Sequence, residues 1–229
     1  MIEQITKKKD WTGNKAAVFV CNGATGHAKE DREINDFYST DPIAIEWLMK
    51  LEPQITNVWE CFVGVGNLAE PLRREGKLKA VSDLIDRGYY PENIATSYGK
   101  DFLQMTKVWK GDIVSNPPYA EAKVWVQHCL DLIQEGHYLA LFMKITFLEG
   151  KERKKFFEDN PPIRVWVSSS RIPCAKNNEF YTVKKGKEGN PKLDKNGKPI
   201  MEKVSSATCY CWFIWQKGYK GDTIIKWFN

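Results

Sequence analysis

Apolar positions along this chain follow two alternating rhythms, one with the period of a helix and one with that of a strand. Residues 42–51 place their apolar side chains at helical spacing, and Asp41-Pro42 ahead of them reads as an N-cap followed by a first-turn proline. Residues 55–61 read as a strand, 67–74 as a short helix, 78–84 and 94–98 as two further strands, and 112–115 as a fourth. Ala122, Trp125, Val126, Cys129, Leu130 and Ile133 then fall at i, i+3, i+4, i+7, i+8 and i+11, one face of a helix. Residues 138–143 are apolar throughout and predict a buried strand. Residues 149–158 predict a charged helix stopped by Pro161-Pro162, and 164–168 and 207–215 two more strands. Strands alternating with helices predict one α/β domain built on a mostly parallel sheet, with helices on both faces.

Two segments break this rhythm. Residues 1–34 lack periodicity and read as an extended N-terminal arm. Residues 175–204 are polar and lysine-rich, with Asn196-Gly197 in their second half. Asn-Gly tolerates the positive φ of a type I′ turn, so this segment reads as an inserted basic β-hairpin with arms 180–184 and 198–204. A basic ribbon of this kind is either a solvated surface or a track for a phosphate backbone.

Composition narrows the class. In 229 residues, 42% are apolar and 13% aromatic, ample for a packed core, and a net charge of +5 permits a polyanionic partner without requiring one. The N-terminus has no apolar signal segment, and no apolar run is long enough for a membrane span. The cysteines at 21, 61, 129, 174, 209 and 211 form no C-x-x-C pair, and the three histidines lack metal-ligand spacing. These features point to a reduced, cytoplasmic protein without a structural metal.

The candidate chemistry sits at predicted strand ends. Two prolines stop the strand at 112–115, because neither has an N–H for the ladder and each holds its φ near about −65°. Each also drives the preceding residue toward an extended conformation. Asn116-Pro117-Pro118-Tyr119 is therefore a rigid turn whose carbonyls have no local donor, with an amide oxygen and a flat ring beside them. A planar group bearing –NH2 suits it: the amide oxygen and a backbone carbonyl accept its two N–H bonds, and the ring stacks on its face. Glu60-Cys61-Phe62-Val63-Gly64-Val65-Gly66 follows the first strand, where glycines let a ligand approach the backbone. The third glycine of the dinucleotide fingerprint is missing, which argues against NAD. Asp83 ends the second strand, where an acid bonds ribose hydroxyls, and Asp101-Phe102 after the third suits an adenine ring.

At these residues the chain resembles the S-adenosylmethionine-dependent DNA adenine methyltransferases, in particular compact phage and prophage members. Asn116 to Tyr119 matches their Asp/Asn/Ser-Pro-Pro-Tyr/Phe motif, and Glu60 to Gly66 their acid-x-Phe-x-Gly-x-Gly motif. Asp36-Phe37-Tyr38-Ser39-Thr40-Asp41-Pro42 looks like their N-terminal cofactor motif. Lys144-Ile145-Thr146-Phe147-Leu148-Glu149-Gly150-Lys151, with Arg171 beyond, resembles the compact members. The resemblance implies a Rossmann-like class I methyltransferase fold with a seven-stranded sheet. It implies S-adenosyl-L-methionine held by Tyr38, Thr40, Asp41, Glu60, Phe62, Gly64, Gly66, Asp83, Asp101 and Phe102. Asn116, Pro117, Pro118 and Tyr119 would be catalytic, acting on an adenine flipped out of double-stranded DNA.

A separate target-recognition domain, present in larger members, is missing here. Cytosine C5 methylation would need a Pro-Cys nucleophile after the fourth strand, and Pro173-Cys174 lies two strands too late. Protein glutamine methylation uses the same cradle, but its enzymes carry a helical N-terminal domain for which the first 40 residues are too short. RNA adenine or guanine methylation and a non-catalytic nucleic-acid-binding role stay open. Lys144, Arg171 and the basic helix with Lys151, Arg153, Lys154 and Lys155 read as phosphate contacts or as a solvated basic face.

Overall fold

The computed structural model describes residues 39–175, 178, 180–186, 189–204 and 208–229, so the 1–34 arm and Tyr38 lie outside the described residues. In chain order the elements are β1 (Ser39–Thr40), α1 (Ile43–Leu51), β2 (Val58–Glu60), α2 (Ala69–Arg74), β3 (Leu78–Asp83) and β4 (Ala95–Tyr98). After these come β5 (Ile113–Ser115), α3 (Ala122–Leu132), β6 (Tyr138–Lys144), α4 (Lys151–Asp159), β7 (Arg164–Ser168) and β8 (Cys174–Ala175). The last are β9 (Tyr181–Val183), β10 (Met201–Lys203), β11 (Tyr210–Gln216) and β12 (Ile224–Phe228). The predicted helices and strands recur here within a few residues at their ends, where fraying decides the limit.

The main sheet runs β12-β7-β11-β6-β5-β2-β3-β4. From β6 through β4 every pairing is parallel, while β11 is antiparallel to both β6 and β7. The parallel strands β2 to β6 therefore end on one edge, and their order reverses between β2 and β5. That reversal opens the crevice in which open α/β sheets bind ligands.

The sheet has eight strands, not the seven expected. The extra one is β12, which pairs in parallel with β7 at the edge. Ile224, Ile225 and Trp227 are exposed and only Phe228 is buried, packed against Trp47 at 5.7 Å. Such a strand shows neither alternation nor a buried run, so only its β-branched and aromatic composition marks it.

The apolar runs are explained by cover on both faces. Within β6, Ala140 and Phe142 point to the layer holding Ala44, Ile45 and Leu48 of α1 and Leu72 of α2. Leu139, Leu141 and Met143 point to the layer holding Val126, Cys129 and Leu130 of α3 and Phe156 of α4. The same split divides β11 into Trp212 and Ile214 on one side and Cys211, Phe213 and Trp215 on the other. At about 1.5–3 kcal/mol per large side chain buried, these two layers dominate the stability of the sheet.

Helix α1 is capped as its sequence predicts. The Ile43 N–H donates to Asp41 Oδ1 at 3.0 Å, and Pro42 takes helical angles with φ −53° and ψ −24°. Beyond its C-terminus the buried Glu52 carboxylate accepts two bonds from Arg164 and one from Trp166 Nε1, tying α1 to β7.

The inserted segment forms a ribbon, with β9 and β10 antiparallel and Tyr181 opposite Lys203. Its tip differs from the expected type I′ turn. The Gly197 N–H donates to the Asp194 carbonyl at 3.1 Å and Gly197 has φ +79°, while Asp194 Oδ1 accepts the N–H groups of Asn196 and Lys198. This is a three-residue loop closed by an αL glycine, which Asp194 stabilises by offering a better set of acceptors than a two-residue turn has. Between arm and tip the chain doubles back, with Lys192 donating to Lys184 and Ile200 donating to Lys192, each at 2.8 Å.

Candidate functional site

Each of the four strand ends singled out in the sequence reaches the same edge of the sheet. After β2, Gly64 and Gly66 turn the chain with φ +57° and +89°. A side chain at Gly66 is blocked from within, because its Cβ would lie 2.4 Å from the Tyr89 ring. Asp83 at the end of β3 braces this turn. Its Oδ2 accepts the Gly64 N–H at 2.9 Å, and its Oδ1 accepts from Ile85 N–H and from Arg87.

Glu60 is buried behind the turn, and the Ser115 hydroxyl at the end of β5 donates to its carboxyl. The same hydroxyl oxygen accepts the Phe62 N–H at 3.2 Å. Burial, with the nearby Asp83 charge adding to it, pushes the Glu60 carboxyl up to about 8. Asp101 caps the single turn Phe102–Gln104 through the Leu103 N–H. Phe102 is core, not an open clamp: it is buried and lies 5.0 Å from Phe62, 5.0 Å from His128 and 5.5 Å from Trp59.

The Asn116-Pro117-Pro118-Tyr119 turn follows β5, one strand from the glycine turn. Asn116 Nδ2 donates to Thr40 Oγ1 at 2.8 Å, with Tyr119 Oη at 3.5 Å and Cys174 Sγ at 3.9 Å. The Asn116 Oδ1 atom is buried with no hydrogen-bond partner among the described residues. An orphaned buried acceptor costs about 1–3 kcal/mol, and native proteins keep few of them. Ser39 Oγ, one residue from Thr40, is the other such atom among the described residues.

Tyr119 does not present a bare face. The Lys144 ammonium sits 4.7 Å above its ring and the Tyr210 ring lies 5.7 Å away, tilted by 37°. Burial pushes the Tyr119 hydroxyl well above its ordinary range. Lys144 and Tyr210 face each other across the β6–β11 ladder, so both arrive at this edge together.

Sequence reasoning gives Lys144 little weight, passes over Tyr210, and sets Cys174 aside as two strands too late. A pairing across 66 positions (210 − 144) leaves no local signal. Cys174 arrives because β8 pairs with β1, opposite Thr40. Burial pushes its thiol up to about 11, so at neutral pH it is a thiol and no nucleophile.

Among the described residues no group of three or more His, Cys, Asp or Glu is placed to hold a metal ion, and no helix is long and apolar enough to cross a membrane. A cavity of about 210 Å³ lies at the far end of β11, lined by Leu130, Glu135, Asn160, Trp215 and Lys217. None of the strand-end residues lines it.

No protein-family model and no curated protein matches the chain in sequence. Solved structures do match in fold. The type IIG restriction endonuclease BpuSI superposes with a TM-score of 0.53 at 14% identity, over 90% of this chain but 28% of the endonuclease. A Listeria monocytogenes protein assigned to the class I S-adenosylmethionine-dependent methyltransferases gives 0.52 at 12% identity, over 92% of this chain and 70% of that one. An S-adenosylmethionine-dependent O-methyltransferase from Thermotoga maritima gives 0.51 at 15%, over 81% and 69%. The chain has the Rossmann-like class I methyltransferase fold, with the candidate residues at the edge where that fold opens.

Proposed function

We propose that this protein transfers a methyl group from S-adenosyl-L-methionine to the exocyclic amine of adenine in double-stranded DNA. The observation that carries the reading is the buried Asn116 Oδ1 at the strand-order reversal, which has no partner among the described residues. An acceptor left open there is matched by a ligand N–H, and adenine brings two on one planar nitrogen.

The residues at the neighbouring strand ends fit the cofactor. Asp83 and Asp101 supply acidic side chains at two adjacent ends for a ligand with a cationic head and a ribose diol. Glu60 adds a buried neutral carboxyl behind the glycine turn, and the Ser39 hydroxyl, without a partner among the described residues, adds a polar atom beside Thr40. When bound, S-adenosylmethionine supplies a methyl carbon on a sulfonium, which takes the amine's lone pair as the carbon–sulfur bond breaks. Asn116 Oδ1 and the Pro117 carbonyl accept the two amine protons, which draws the nitrogen toward pyramidal geometry and releases a lone pair otherwise delocalised into the ring. No side chain has to act as a strong base, because the extra proton leaves to water after transfer. Positioning and fixed dipoles therefore do most of the work.

Tyr119 is the surface on which the flipped base stacks, in the place that the Lys144 ammonium takes over its ring. The β9–β10 ribbon, with Lys184, Lys185, Lys192, Lys195, Lys198 and Lys203, is the element that tracks the DNA backbone. Lys203 pairs with Asp41 at 2.7 Å, which anchors the ribbon beside Thr40.

Replacing Asn116 with Ala tests the reading. Methyl transfer is expected to fall at least about 100-fold, as when a transition-state hydrogen-bond partner is removed, with cofactor affinity held near wild type in titration calorimetry. Wild-type turnover in Asn116→Ala would sink the mechanism.

A further inference from the structure

We infer that Thr40 is a positioning residue for catalysis: it locks the Asn116 amide in the orientation that turns its oxygen toward the substrate amine. The inference rests on the methyl-transfer reading for its catalytic meaning, though the lock itself is a property of the protein alone.

An asparagine side chain has two ends of nearly equal shape and opposite chemistry. Turned one way it offers an acceptor; turned over, it sets two N–H donors against the N–H donors of an incoming amine. Something must choose between them. Around Asn116 the choice is made by the pairing of β1 with β8, which sets Thr40 directly opposite Cys174.

Thr40 Oγ1 and Cys174 Sγ then lie 3.9 Å apart, and both face the same end of the Asn116 amide. With Tyr119 Oη they form a nest around Nδ2, at 2.8, 3.9 and 3.5 Å, in which each group can accept an amide proton while its own proton turns to another member. An –NH2 group with two protons uses such a nest well. Turned over, the amide oxygen could accept from the same hydroxyls, but two N–H donors would then stand unpaired where the observed orientation leaves a single acceptor among the described residues. Thr40 makes the short bond, so it supplies most of the bias. Its own side chain is buried, and its carbonyl accepts from Asn67 Nδ2 at 3.0 Å, which fixes the backbone that presents the hydroxyl.

The resemblance assigns Thr40 to the cofactor, whereas the geometry points it at the catalytic amide. The two roles separate kinetically. A lock on Asn116 acts on the transition state, so its loss lowers kcat and leaves cofactor affinity alone.

The test uses the full chain with Thr40→Val, which keeps the shape and removes the hydroxyl, and Thr40→Ser, which restores it. For Thr40→Val we expect kcat for methylation of unmethylated plasmid DNA to drop about tenfold or more, with KM and cofactor dissociation constant near wild type. Thr40→Ser should recover most of the rate. A second readout needs no turnover. In ¹⁵N-correlated NMR of the cofactor-free protein, the Asn116 side-chain NH2 pair, identified by its loss in Asn116→Asp, should show one hydrogen-bonded proton in wild type and Thr40→Ser. Thr40→Val should lose that signature.

Unchanged NH2 signals in Thr40→Val overturn the lock. So does a loss of cofactor affinity that matches the loss of rate. If the NH2 signals respond as expected while the wild type methylates no adenine, the lock stands and the proposed function fails.

Discussion

Asn116 and Glu60, at two neighbouring strand ends, illustrate opposite uses of burial. Asn116 keeps an acceptor open; Glu60 keeps a carboxyl neutral. Because burial raises the Glu60 carboxyl from its ordinary 4.5 to about 8, the folded state holds a proton that the unfolded chain has already released. The contribution of Glu60 to stability is therefore whole below about pH 4.5 and is lost as pH rises toward 8, at up to about 1.4 kcal/mol per pH unit. Urea unfolding of wild type and Glu60→Gln at pH 5, 7 and 9 checks this. The variant should gain stability relative to wild type as pH rises, and a constant difference across the three values would contradict it.

At this scale the motifs are legible because they are local: prolines stop a strand, glycines turn it, and acids follow. Cys174 and Tyr210 are not, because each reaches the site through a strand pairing with a distant segment. Phe102 reads in the sequence as a wall for a ligand, but its ring is shared with Trp59 and Phe62 in the core.

Among the elements, the helices declare themselves through spacing and caps, and the Asp41 cap on α1 matches its sequence signature. The β9–β10 ribbon is half legible. Its arms pair as the sequence predicts, whereas its tip follows the acceptor geometry of Asp194, which competes with the Asn-Gly preference. If the ribbon follows DNA, replacing Lys192, Lys195 and Lys198 with Glu should weaken duplex binding and lower its salt dependence. The slope against log salt should fall by up to about 0.9 for each phosphate that the variant no longer neutralises. Cofactor binding should not change. Fluorescence anisotropy at several salt concentrations measures the DNA affinity and its slope, and an unchanged affinity and slope would remove the ribbon from the interface.

For the molecule as a whole, the two-faced sheet is readable because β6 and β11 are apolar on both sides, and only a sheet covered twice needs that. The edge strand β12 is less so, since one buried residue in five leaves composition as its signal and no alternation. The β11 reversal also leaves no trace in composition, because parallel and antiparallel strands buried on both faces look alike. What the fold does with this architecture is gather a glycine turn, three acids and an amide oxygen at one edge.

Incubating the wild-type protein with methyl-labelled S-adenosylmethionine and equal amounts of duplex DNA, RNA and protein, then digesting each to nucleosides or amino acids, tests the central claim directly. Label is expected in N6-methyladenine from the duplex. Label in another base, in RNA or in glutamine, or none at all while the protein binds DNA, would contradict it.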